Sequence, residues 1–228
     1  MQQYFCREKL EIGKTIRLDD EDLYHLRKVL RKDSSYRFRM ADNEGNIYFC
    51  HLLNDKECIC DEYCDENNEL EYDITCILSL VKSDKFELCL QKLTELGVNR
   101  IVPYDAYRSV MKINDDKKLS RFQKIVKEAA EQSHRNIIPE VCKVAKLKDL
   151  EKYRSDRNYI CYESEKNISD ISGKESVTYI IGPEGGFEDS EYEKICKMGF
   201  ESVSLGKRIL RAETAAIYMT SVIVSKNQ

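Results

Sequence analysis

Hydrophobic positions change their period part-way along this chain. Within residues 1–70, short stretches of alternation lie between turn signals: Tyr36, Phe38 and Met40 fall on one side, and Arg37 and Arg39 on the other. Asp42-Asn43-Glu44-Gly45 then turns the chain into a second apolar stretch over residues 47–53. This predicts a small β-barrel or sheet. One helix is expected within it, over residues 20–29, because the acidic run at 19–22 suits a helix N-terminus and Arg27, Lys28 and Arg31 follow at its other end. The polar run at 65–69 reads as a linker.

From Tyr72 onward, strands alternate with helices, which predicts an α/β layer with a largely parallel sheet. Strands are expected over 74–80, 100–103, 141–144, 159–162 and 177–181. Residues 85–96 place Phe86, Cys89, Leu90 and Leu93 on one helical stripe that stops at Gly97, a residue suited to a left-handed cap. Leu119, Phe122, Val126, Ala129 and Ala130 mark a second amphipathic helix ending near His134. Helices over 190–198, closed by Gly199, and over 212–224 complete the pattern. The boundaries implied are a first domain over 1–70 and a second over 71–228.

Composition narrows the class. With 42% hydrophobic and 34% charged residues and no long apolar run, the chain reads as globular and soluble, with no membrane span. Met1 is followed by polar and aromatic residues rather than an apolar segment, so a cytoplasmic location is expected. In that setting the ten cysteines are expected to be free thiols. The tightest group, Cys58, Cys60 and Cys64 with Cys50 and His51 upstream, lacks the two-residue spacing of structural zinc sites, and Cys58-Ile59-Cys60 also reads as strand alternation. No metal is expected.

The net charge of -4 argues against a wholly basic nucleic-acid protein, yet it conceals a local patch. Arg27, Lys28, Arg31, Lys32, Arg37 and Arg39 are opposed within their segment only by Asp33. Lys82 and Lys92 lie on or near one helix and suit either phosphate contact or a solvated face.

Chemistry concentrates in two loops. Of nine glycines in the chain, three fall in Gly182-Pro183-Glu184-Gly185-Gly186, directly after a strand. Glycine permits positive φ, expected here at Gly185, and close approach of a ligand to the backbone, while Pro183 stiffens the entry, so exposed N–H and C=O groups can read a heterocycle or hold a phosphate. The plain alternative is a tight strand-to-helix turn. The second loop, residues 205–215 (LGKRILRAETA), repeats strand, glycine turn and helix. Here Ile209 and Leu210 offer apolar walls for a planar base, and Arg211, Glu213 and Thr214 gather at a helix start, although Glu213 and Thr214 also suit ordinary cap chemistry. Two such loops at strand ends make a pocket.

These residues carry a resemblance. Residues 181–187 (IGPEGGF), 205–215 (LGKRILRAETA), 91–103 (QKLTELGVNRIVP) and 128–139 (EAAEQSHRNIIP) resemble, in the same order, the motifs of the bacterial 16S ribosomal RNA (uracil-N3)-methyltransferases. This is the ribosomal RNA small subunit methyltransferase E family of the SPOUT superfamily. Residues 24–30 also resemble an H-x-x-x-V-L-R stretch of its N-terminal domain, so the likeness covers nearly the whole chain.

The resemblance implies an N-terminal PUA-like β-barrel for RNA and a C-terminal SPOUT-type α/β domain with a trefoil knot. It also implies a homodimer, S-adenosylmethionine as cofactor and 16S ribosomal RNA of the small subunit as partner. The implied reaction is methyl transfer to N3 of a specific uridine. A SPOUT enzyme acting on another RNA site or on a ribose 2'-hydroxyl, and a non-catalytic RNA-binding assembly protein, are the alternatives.

The cofactor residues so implied are Ile181, Gly182, Pro183, Gly185, Gly186, Leu205, Gly206, Ile209, Leu210, Arg211, Glu213 and Thr214. RNA would meet Arg27, Lys28, Arg31, Arg37, Arg39, Lys82, Lys92 and Arg135. The N3 imide proton must leave: Arg211 or Arg135 is expected to stabilise the developing anion, and Glu184 or Glu213 to receive the proton. His134, beside Arg135 near the end of its helix, is the histidine expected to act on the substrate side. The chain departs from the family pattern at Gln3, Tyr107 and Glu188. These departures bear on one RNA contact and one helix cap, with Asp189 placed to shift the cap by one position.

Overall fold

The computed structural model describes residues 1–42, 44–113, 115–162 and 174–227. The chain divides into two compact units, Met1–Glu69 with Ala130–Ile138, and Leu70–Ala129 with Pro139–Gln228.

The first unit is a five-stranded sheet of β1 (Gln3–Phe5), β2 (Thr15–Arg17), β3 (Phe38–Ala41), β4 (Ile47–Leu52) and β5 (Glu57–Cys64), in the order β1-β3-β4-β5-β2. β1 runs parallel to β3 and the other pairs are antiparallel. The turn between β3 and β4 is organised by Asp42, whose Oδ1 accepts from the backbone N–H groups of Glu44 and Asn46, both at 2.9 Å. Asn43 of that turn lies outside the described residues.

The helix expected over 20–29 has two parts. α1 (Asp20–Tyr24) is capped by the Asp19 side chain, which accepts from the Asp22 N–H at 2.8 Å. It continues as a π-helical turn, His25–Val29, before Arg31 adopts a φ of 53°. Leu26 on this turn is fully buried with Tyr4, Phe38 and Met40, which explains why the segment packs.

Two readings of the first unit need correction. Phe38 and Met40 face the core as expected, but Arg39 does not face solvent: β3 lies between β1 and β4, all four of its residues are buried, and Arg39 is only 5% exposed. Residues 65–69 end the first unit, with 65–68 exposed, and the segment is tied down at two points: Glu66 pairs with Arg39, and Glu69 pairs with Arg135. The segment Ala130–Ile138, read from sequence as part of the second domain, groups with the first unit, where Ala130 packs on Phe5, Ala41, Ile47 and Cys64.

The second unit is a six-stranded sheet, in the order β11-β9-β10-β6-β7-β8, in which every neighbouring pair is parallel. Its strands are β6 (Ile74–Ser79), β7 (Arg100–Tyr104), β8 (Glu140–Val141), β9 (Arg157–Cys161), β10 (Val177–Ile181) and β11 (Glu201–Val203). β6 and β10 are buried along their whole length, as strands covered on both faces must be.

The helices are α2 (Ser83–Glu95), α3 (Asp116–Gln132), α4 (Asp189–Lys197) and α5 (Ala212–Asn227), joined by a 3-10 helix over Leu147–Tyr153. Phe86, Cys89, Leu90 and Leu93 of α2 are buried as the stripe predicts, and Gly97 and Gly199 take φ values of 92° and 88°. The strand expected over 141–144 shrinks to Glu140–Val141 and a single bridge between Tyr104 and Ala145. The cap of α4 does not shift to Asp189: Glu188 holds the position without a side-chain hydrogen bond. α5 packs against α2 and β10.

Candidate functional site

The carboxyl ends of β9, β10 and β11 border a cleft of about 240 Å³. β9 and the residue after it contribute Cys161 and Tyr162. β10 and its following turn contribute Ile181, Gly182, Pro183, Glu184 and Gly186. The segment from Ser204 into α5 contributes Leu205, Gly206, Arg208, Ile209, Leu210, Arg211, Ala212 and Ala215. In a parallel sheet this end of the strands is where ligands bind, because the loops there can be shaped without disturbing the core.

The first glycine turn is closed by the Gly186 N–H, which donates to the Pro183 carbonyl at 2.9 Å. Positive φ falls on Gly186, at 69°, and not on Gly185. Gly182 is required for a different reason, since a Cβ there would lie 2.8 Å from the ring of the buried Phe187. Gly185, expected among the cofactor residues, is exposed and does not line the cleft. Glu184 does line it, and its Oε1 accepts from the Lys82 backbone N–H at 3.2 Å, at the cap of α2.

In the second loop Gly206 has a φ of 110°, and a Cβ there would meet no atom within 4 Å, so the backbone is open to a ligand. Its N–H donates to Ser204 Oγ at 3.3 Å. Ile209 is 85% exposed, and Arg211 is exposed at the cleft rim. Glu213 and Thr214 do not line the cleft. α5 begins at Ala212, and about 100° of rotation per residue brings Ala212 and Ala215 to the cleft while turning the two between them away. Glu213 is buried with its carboxylate 3.8 Å from Lys85 Nζ, and Thr214 is exposed.

The structure adds Cys161, Tyr162, Ser204, Arg208, Ala212 and Ala215 to the expected lining. Tyr162 stacks on Tyr192 with ring centroids 4.1 Å apart, which fixes that wall. Burial pushes the Cys161 thiol well above its ordinary range, so it meets the cleft as a neutral apolar group. For Cys161 and Tyr162 the available signal was the end of the strand expected over 159–162, while Arg208, Ala212 and Ala215 lie within the 205–215 loop and Ser204 directly before it.

The basic residues differ in exposure. Lys28, Arg31 and Arg37 are exposed, and Arg27 is half-buried. Arg37 lies over the Phe49 ring at 5.0 Å and pairs with Glu62 at 2.9 Å, while Arg27 Nη2 is 3.6 Å from Asp55. Arg39 and Arg135 are 5% and 3% exposed, each paired to a carboxylate of the first unit, so neither presents a free guanidinium at the surface. His134 Nε2 is bonded to the Met1 carbonyl at 2.9 Å. In the second unit Lys82 is exposed, and Lys92 is held by Glu95 at 2.8 Å. Among the described residues, no group of three or more His, Cys, Asp or Glu side chains is placed to hold a metal. No described helix is long and apolar enough to cross a membrane.

Comparison with known proteins places this geometry. The model of the RNA methyltransferase domain matches residues 68–224. The chain is 34% identical to the ribosomal RNA small subunit methyltransferase E of Bacillus subtilis (strain 168), over 98% of this chain and 96% of that one. It is likewise 34% identical to the protein of the same name from Mesomycoplasma hyopneumoniae (strain 232), over 96% and 97%. A solved structure of ribosomal RNA small subunit methyltransferase E from Neisseria gonorrhoeae, bound to S-adenosyl methionine, is similar with a TM-score of 0.91 and 30% identity, covering 99% of this chain and 97% of that one.

Proposed function

Because the chain belongs to the ribosomal RNA small subunit methyltransferase E family, we propose that it transfers a methyl group from S-adenosylmethionine to N3 of one uridine in 16S RNA of the small ribosomal subunit. The observation that carries this reading is the cleft at the ends of β9, β10 and β11, built from two glycine turns and an apolar wall. The lining fits a nucleoside cofactor. Ile209, Leu210, Ala212 and Ala215 suit a planar base, and Gly206, where a Cβ would meet no atom within 4 Å, lets the main chain come close to the ribose.

When bound, S-adenosylmethionine supplies an activated methyl, so the chain's own task is orientation and management of one proton. Glu184, exposed on the cleft, is the carboxylate assigned to receive the N3 proton. Arg211, on the same cleft, is assigned to donate to the uracil carbonyl oxygens as negative charge develops on them.

The same reading assigns RNA recruitment to the first unit as a PUA-like barrel, supported by its five-stranded sheet and the exposed Lys28 and Arg31. It assigns a trefoil knot to the second unit. Supporting this, β11 lies at the sheet edge beside β9, while the chain after it returns as α5 onto β10 and α2. A homodimer is part of the reading, supported by the apolar character of α5 and the exposure of Tyr218 on it. A ribosomal RNA substrate also supports cytoplasmic action.

Incubation with small-subunit RNA and isotopically labelled S-adenosylmethionine, followed by nucleoside mass spectrometry, tests the reaction. Labelled 3-methyluridine is expected. Label on a ribose 2'-hydroxyl, on another base, or nowhere overturns the assignment.

A further inference from the structure

We infer that Arg108 is a positioning residue for the 182–186 turn, holding it in its ligand-ready shape through the Gly185 carbonyl; this rests on the reading that the cleft binds S-adenosylmethionine. Gly185 is the one residue of that turn that does not line the cleft. Its carbonyl accepts a hydrogen bond from Arg108 Nη1 at 3.0 Å. The same guanidinium has its Nε 3.9 Å from Glu188 Oε1, at the cap of α4. One cation therefore brackets the turn on both sides of Gly186.

Arg108 is itself held in place. It follows β7, and the segment around it is tied to α4 by Glu191, a carboxylate with no exposure at all. Glu191 Oε1 accepts from the Tyr107 N–H at 3.1 Å and from the Tyr104 hydroxyl. Burial, with the adjoining Glu191 next in effect, pushes the Tyr104 hydroxyl far above its ordinary range, so it stays a donor. On the other side of Arg108, the Ser109 N–H donates to the Ala106 carbonyl at 3.0 Å and the Met111 N–H to Leu80 at 3.2 Å. A side chain anchored at its own backbone can transmit that order to a turn that lacks it.

The turn needs such help because glycine loses more conformational freedom on ordering than any other residue, and three of its five residues are glycine. Fixing the carbonyl of Gly185 fixes the peptide plane whose N–H closes the turn on the Pro183 carbonyl, and with it the shape that the turn presents to the cleft. Without Arg108 the binding-competent turn becomes one of several conformers, and apparent affinity falls by the fraction lost. At saturating cofactor the competent turn, with Glu184 on it, is again fully populated, and Arg108 itself is assigned no contact with the reacting atoms, so the chemical step is untouched.

The test measures S-adenosylmethionine affinity by calorimetry and single-turnover methylation for the full chain, Arg108→Ala and Arg108→Lys. Arg108→Ala is expected to weaken S-adenosylmethionine binding about tenfold, the scale of one charge-assisted hydrogen bond at a half-exposed site, with the rate at saturating cofactor within about twofold of the parent. Arg108→Lys, which keeps one charged donor, is expected to recover part of the affinity. Unchanged affinity in Arg108→Ala overturns the inference, as does a loss that appears only in the saturated rate. A fall in affinity matched by a lowered unfolding midpoint in both variants also overturns it, because the residue is then merely structural. A parent chain that binds no S-adenosylmethionine overturns the cleft reading itself, which is a separate and recognisable outcome.

Discussion

The Arg135 guanidinium and the Glu69 carboxylate form an ion pair inside the first unit, with side-chain exposures of 4% and 13%. Arg135 Nε donates to Glu69 Oε1 at 3.2 Å, and the backbone N–H groups of Asn136 and Ile137 donate to the same oxygen at 2.8 and 3.3 Å. Gln3 Nε2 donates to the Arg135 carbonyl at 2.6 Å, joining β1 to the same network. A buried pair adds little by itself, but removing one partner leaves a charge without compensation, which costs about 3 to 5 kcal/mol. Arg135→Met is therefore expected to lower the urea midpoint markedly. The double change Arg135→Met with Glu69→Met should recover part of that loss, and an unchanged midpoint in the single variant would show that the pair is not structural.

The two glycine turns should respond unequally to a single methyl. Gly206 at a φ of 110° is strained by any side chain, at about 1 to 3 kcal/mol, although space is open around it. At Gly182 the obstacle is instead the Phe187 ring. A Cβ on Gly185 would sit 3.5 Å from Arg108, an ordinary contact, and its φ is unstrained. Calorimetry is expected to show S-adenosylmethionine affinity reduced more than tenfold in Gly206→Ala and Gly182→Ala. Gly185→Ala should stay close to the parent, and equal losses at all three positions would contradict the assignment of roles.

Legibility in the sequence follows periodicity and its length. The stripe of Phe86, Cys89, Leu90 and Leu93 spans enough turns to define a helix and its face, and the apolar runs of β6 and β10 announce strands covered on both sides. The glycine loops were legible because backbone freedom is rare in a chain with nine glycines. Three-residue strands such as β1 and β2 are too short to alternate visibly. Without β1 in place, nothing indicated that Gln3 lies opposite Arg39 and donates to the Arg135 carbonyl inside a buried network, far from the solvent-facing contact considered for that position. The start of α5 at Ala212 agrees with the expectation, but Glu213 and Thr214 were grouped with Arg211 by nearness in sequence, whereas neighbours on a helix point about 100° apart. Positive φ was expected at Gly185 and falls one position on, at Gly186, because the composition of a glycine pair does not say which member takes the left-handed conformation.

RNA recruitment by the first unit should depend on the basic residues that reach solvent. Lys28 and Arg31 are exposed, whereas Arg39 is held by Gln3 at 3.0 Å and by Glu66. Each phosphate neutralised contributes about 0.7 to 0.9 to the slope of log K against log salt. Lys28→Ala with Arg31→Ala should weaken RNA binding and flatten the slope by up to about 2 at unchanged S-adenosylmethionine affinity. Arg39→Ala is expected to change stability first. Identical salt slopes in the double variant and the parent would remove this surface from the RNA interface.

Arg211 bears the most direct prediction for the chemical step. It lines the cleft and is exposed at the rim, immediately before α5. Its planar guanidinium can donate two parallel hydrogen bonds, which lysine, a point charge on a flexible stem, cannot reproduce. Loss of a preorganised donor to a developing oxyanion costs about 2.7 to 4 kcal/mol, a factor of roughly one hundred to one thousand in rate. Arg211→Lys is accordingly expected to lower the single-turnover rate at saturating RNA and S-adenosylmethionine by at least about a hundredfold while cofactor affinity changes little. If affinity falls instead and the rate recovers as the cofactor is raised, Arg211 anchors the cofactor and the oxyanion role is lost. Because Lys85 sits 3.8 Å from Glu213 and not on the cleft, it should offer no substitute cation, so Lys85→Ala in the Arg211→Lys background ought to leave the residual rate unchanged.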